Sequence, residues 1–147
     1  MERIKEFRSE EKFGIKNYQD SHSQLLLRNW DAEERIDLLF VAVFYVELPH
    51  DLNGLVISPA TQEETNKVKS KLFYPLRENR RVYAIASSGE RYFVGAVGLD
   101  ITRYIYQPVG TAIPLGARIA TPNPGSGLYR EGNFNRVILA SYKVSFD

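Results

Sequence analysis

The chain has 147 residues, 44% hydrophobic and 25% charged, the size and balance of a globular domain that buries a core without covalent staples. Nineteen basic and eighteen acidic residues leave a formal charge of +1, so no global field gathers a polyanion. Cysteine is absent, which excludes disulfides, thiolate zinc sites, iron–sulfur clusters and cysteine nucleophiles.

In chain order, residues 1–12 are dense in charge and weakly periodic, and predict a short helix or a frayed segment. They hold no apolar core of a secretory signal. Leu25, Leu26 and Leu27, followed by Trp30, predict a strand that stops at the acidic turn DAEER.

The clearest element is IDLLFVAVFYVEL, residues 36–48. On a period of two, Ile36, Leu38, Phe40, Ala42, Phe44, Val46 and Leu48 form one apolar face. The opposite face is apolar only in its middle, so the strand is expected inside a sheet or barrel, or against a second subunit. Pro49, which has no N–H to give a ladder, ends it. Its longest apolar run, residues 38–46, is about half the length of a membrane span, so the chain is expected to be soluble and cytoplasmic with no membrane partner.

Residues 59–72 predict a short surface helix. Either Ser58 caps it with Pro59 in the first turn, or Thr61 caps it with Glu64 in a capping box. Thr65, Val68 and Leu72 form its thin apolar stripe. VYAIASS and RYFVGAVGLDITRYIY, joined at SSGER, predict a hairpin with its turn at Gly89-Glu90. Gly95 and Gly98 within the second strand predict a bulge, a sharp coil or a close backbone approach. RVILASYKVSF predicts a last, half-exposed strand. No repeat, low-complexity tract or domain linker stands out.

The expected fold over 1–147 is therefore one mainly β domain, an antiparallel β-barrel or two-layer β-sandwich with one surface helix. The alternative is an α+β sheet with the helix on one face. Residues 107–135 form a long Gly/Pro-rich loop region holding four of the seven prolines and five of the ten glycines. Loops of this length in a small domain are commonly functional.

Three chemistries compete. The favoured one is a soluble, non-enzymatic binding or protein-interaction module, with contacts from Arg118, Tyr129, Arg130, Asn133 and Phe134 to a protein partner or a small ligand. No cofactor or metal is expected, and a homo-oligomer is compatible with the doubly apolar strand. The second is a small hydrolase or metal-dependent enzyme built on the only two histidines, His22 and His50, with Asp20, Glu47 or Asp51. Asp20, His22 and Ser23 are too close in sequence to form a triad, and no H-x-H or H-E-x-x-H spacing occurs. The third is single-stranded nucleic-acid binding through residues 73–83, where Phe73, Tyr74 and the run RENRR interleave rings with arginines. The near-neutral charge argues against it.

Overall fold

A computed structural model describes residues 1–19, 23–30, 33–120 and 134–146. Among them the elements run β1 (Glu2–Ile4), β2 (Phe7–Gln19), β3 (Gln24–Asn29), β4 (Arg35–Glu47), β5 (Asp51–Pro59), α1 (Gln62–Ser70), β6 (Arg81–Ser87), β7 (Glu90–Pro108), β8 (Arg118–Ile119) and β9 (Phe134–Val144). Six strands close an antiparallel barrel in the order β7-β4-β3-β2-β5-β6, and β6 pairs back onto β7. Closure settles the architecture as a barrel, not a sandwich or an open α+β sheet.

The 19-residue β7 makes this arrangement possible. Its first part pairs with β6, from Glu90 to Ala96, and its last part pairs with β9, from Ile101 to Pro108. The strand thus belongs to the barrel and also carries an extension. On that extension β1 joins β9 in parallel, and β8 pairs with β9.

Residues 2–4 and 7–12 are strand, where the sequence predicts a helix or a frayed segment. In β2, Phe7 and Phe13 are buried, Ser9 and Glu11 half-buried, and Arg8, Glu10 and Lys12 exposed. The charges that obscure periodicity form the solvent face of a strand alternating with period two.

The face predicted for residues 36–48 holds only to Phe40. Ile36, Leu38 and Phe40 point inward, but Ala42 is exposed and the next buried residue is Val43. Ala42 has φ 51°, and the β4–β7 register slips between Val43 and Tyr45. An irregularity of this kind turns the following side chains to the other face. Phe44 and Val46 consequently leave the interior. Opposite, β7 makes the matching change, with Val94 and Ala96 buried, Val97 exposed, and Leu99 and Ile101 buried again. Beyond the irregularity Ala42 is exposed and Val46 is 39% exposed.

Helix α1 uses the second predicted cap. The Glu64 N–H donates to Thr61 Oγ1 at 3.1 Å and the Thr61 N–H donates to Glu64 Oε1 at 2.9 Å. Glu64 also receives a two-pronged ion pair from Arg91, at 2.6 and 2.8 Å, tying the helix to β7. Val68 is its buried anchor. The β6–β7 hairpin turns at Ser88-Gly89, one residue before the predicted place, with φ 50° and 80°. A two-residue type I′ turn requires positive φ at both positions.

The barrel is filled with side chains, as small barrels are. Phe13, Leu25, Leu27, Leu38, Phe40 and Ile57 are at most 1% exposed. Tyr83 packs edge-on against Phe40 at 5.5 Å and Phe146 at 4.9 Å between ring centres. Its burial pushes the phenol pKa up to about 12. Asn29, 3% exposed, accepts from the Ile36 N–H at 2.8 Å and donates to Glu34 O at 2.9 Å, which closes the β3–β4 connection.

Candidate functional site

The chain leaves β7 at Pro108 and makes two consecutive turns of one design. The Thr111 N–H donates to Pro108 O at 3.1 Å, and the Ala117 N–H donates to Pro114 O at 3.0 Å. The third residue of each turn is a glycine with positive φ, Gly110 at 91° and Gly116 at 83°, as a type II turn demands. The likeness is written in the sequence, for PVGTAI at 108–113 is followed directly by PLGARI at 114–119. The chain therefore does contain a repeat, a six-residue tandem, where none stands out at the scale of a structural unit.

This tandem places four aliphatic side chains in solvent. Val109 is 59% exposed, Ile113 39%, Leu115 106% and Ile119 53%. Scattered exposed aliphatics are ordinary, and four within one twelve-residue stretch make it a candidate contact surface.

The base of the turns is fixed. Pro108 lies opposite Phe134, Arg118 opposite Ile138 and Ile119 opposite Val137. The Ala120 N–H donates to Arg136 O at 2.8 Å, and Ala120 packs with Tyr104 and Ile138. The Arg136 guanidinium lies 4.3 Å from the Tyr104 ring centre. Tyr104 donates its hydroxyl to Asp37 at 3.1 Å, and Asp37 takes both prongs of Arg28, at 2.6 and 3.0 Å. Burial, reinforced by the Asp37 charge, pushes the Tyr104 pKa above its usual value, and the Asp37 hydrogen bond raises that of Arg28. Strands β3, β4, β7 and β9 are thus locked together beneath the turns.

Of the contact residues named from sequence, Arg118 is exposed on β8 and Phe134 is half-buried at the start of β9. Arg118 pairs with a residue four positions beyond Phe134, so about 13 Å of strand separates them and they do not converge. Tyr129, Arg130 and Asn133 lie outside the described residues, as do Asp20 and His22. His50 Nδ1 meets Asp51 Oδ1 at 3.1 Å, with both side chains about 70% exposed. Glu47 is occupied by the Tyr45 hydroxyl, with the Lys71 ammonium 3.5 Å away. Among the described residues no three histidine or acidic groups gather to hold a metal ion.

A surface groove of about 710 Å3 has Phe7, Ile36 and Tyr142 on its walls beside Glu11, Glu34 and Arg103. Arg103 there is engaged with Glu34 and donates to the Tyr142 hydroxyl at 3.1 Å. This groove is open and its central cation is already satisfied.

A second arrangement involves residues far apart in sequence. The Arg80 guanidinium lies over two rings, 5.5 Å from the centre of Phe44 and 5.0 Å from that of Tyr74. Arg81 lies 5.0 Å from the Phe146 ring centre. Phe44 reaches this place because the irregularity at Ala42 turns it outward. It then lies on Gly95, where an added Cβ would come within 2.4 Å of the ring. RENRR was visible as a basic run, but Phe44 and Phe146 carry no sequence signal that joins them to it.

No protein-family model matches the chain, and no curated protein or solved structure is significantly similar to it. No helix among the described residues is long and apolar enough to cross a membrane.

Proposed function

We propose that this protein is a non-enzymatic interaction module of the cytoplasm, a rigid barrel that presents the turn pair at 108–119 to a protein partner. The observation that carries the reading is the concentration of exposed Val109, Ile113, Leu115 and Ile119 on two turns and the short β8 that anchors them to β9. Burying one such side chain fully is worth about 1.5–3 kcal/mol, so a few of them form the apolar centre of a contact. Arg118 supplies a charged rim beside it. A filled interior favours a protein surface over a small molecule, because drug-sized ligands require an enclosing pocket. Tyr129, Arg130 and Asn133, named as contacts from the sequence, lie outside the described residues.

The test is a photo-crosslinking amino acid placed at Leu115, or at exposed Lys12 on β2 as a control, in living cells. A discrete adduct from position 115 that is missing from position 12 supports the reading. If that adduct is a second copy of this chain, the partner is the chain itself. No adduct, or the same adducts from both positions, removes the turn pair from contention.

A further inference from the structure

The Arg80 surface has a different chemistry from the turns. Residues 67–83 hold six basic groups and one acidic group, Glu78, in a chain whose net charge is only +1. Near-neutrality of the whole therefore conceals a local excess of cations. Among the described residues Arg77, Arg80 and Arg81 have no carboxylate partner and no side-chain hydrogen bond. Arg80 and Arg81 rest on aromatic rings instead. Stacking fixes a guanidinium plane while leaving its edge N–H donors free. Phe73 beside them is 103% exposed and Tyr74 43%.

We infer that Phe73, Tyr74, Arg77, Arg80 and Arg81 form a binding surface for single-stranded nucleic acid. Phosphates pair with the free guanidinium edges, and an unpaired base stacks on the Phe73 ring. Duplexes are disfavoured because their bases already stack on one another and offer no face to a ring. An acidic peptide would use the arginines but draws nothing from an aromatic platform. Base–ring stacking and backbone pairing together are the pattern of strand-binding surfaces on small β-barrels. The Phe44 contact of Arg80 exists because the Ala42 irregularity re-aims Phe44, so the surface is built by the fold. This inference is independent of the turn pair.

Fluorescence anisotropy with labelled oligo-uridine, oligo-thymidine and a duplex of equal length tests it. The purified protein is expected to bind the single strands in preference to the duplex. The log–log salt slope should be about −2 if three phosphates are neutralised. Phe73→Ala is expected to weaken binding by about 5- to 150-fold while leaving the salt slope and melting temperature unchanged. Arg80→Ala combined with Arg81→Ala should flatten the slope, and Arg80→Lys, which keeps the charge but loses the planar stack, should also weaken binding. Leu115→Ser should bind as the wild type does. No single-strand binding at ~100 µM protein and low salt overturns the inference. So does binding that Phe73→Ala leaves unchanged, or displacement by poly-glutamate as effective as by unlabelled strand.

Discussion

Leu25, Leu27 and Leu38 in the barrel and Val109, Leu115 and Ile119 on the turns are the same kind of residue in opposite places. The first three are at most 1% exposed, and the last three more than half exposed. Inside the barrel each aliphatic group repays the conformational entropy of folding. On the turns it does not, because the polar backbone of each turn is held by its own hydrogen bond and by β9. Composition counts both sets alike. What separates them is barrel closure, which surrounds the first set and leaves the second outside, even where Ile119 joins the ladder to β9.

The comparison breaks most visibly at its centre. Phe40 is fully buried and touches Tyr83, so Phe40→Ala is expected to cost about 3–5 kcal/mol in urea unfolding. A loss below 1 kcal/mol would mean that the barrel is not packed around this ring. Next comes the place where the core gives way to the surface. Gly95→Ala puts a methyl into the Phe44 ring and should cost about 1–3 kcal/mol. It should also displace Arg80, which ring chemical shifts of Phe44 and Tyr74 would report.

A smaller effect belongs to the helix clamp. The Arg91 hydrogen bond lowers the Glu64 pKa from 4.5 to about 2. A depressed carboxylate pKa contributes stability that is complete above the unfolded value and disappears as pH falls through the folded one. Wild type should therefore melt above Glu64→Gln at pH 6, and the gap should close between pH 4.5 and about 2. Arg91 is 45% exposed, so solvent screening holds the difference to under ~1 kcal/mol. A gap that widens on acidification would contradict the clamp. The smallest effect is expected at Leu115→Ser, where thermal unfolding should change by under ~0.5 kcal/mol.

Local features were legible in the sequence. Thr61 with Glu64, the SSG turn and the strand character of 25–30 and 136–146 each rest on neighbouring residues, whereas residues 134–135, read as loop, open β9. The barrel's closure was not, because it depends on β6 and β4 meeting β7 from opposite sides, and alternation is the same in a sandwich. The irregularity at Ala42 was hidden because alanine with positive φ carries no composition signal. It displaced half of the face predicted for 36–48. β2 was obscured because Arg8, Glu10 and Lys12 outweigh Phe7 and Phe13 in any average of polarity. For the candidate surfaces, the loop region was legible from its prolines and glycines, and the twin PVGTAI–PLGARI pattern is plain at a six-residue period. The pairing of Arg80 with Phe44 was beyond reach, because 36 positions separate them in the chain.

The most direct test of the account is the melting temperature of a Val109→Ser, Leu115→Ser double variant. If the exposed aliphatics are surplus to the fold and available for contact, it should melt within about 2 °C of wild type. A fall comparable to that of Phe40→Ala would show that they pack within the molecule, and the distinction between the two sets of residues would collapse.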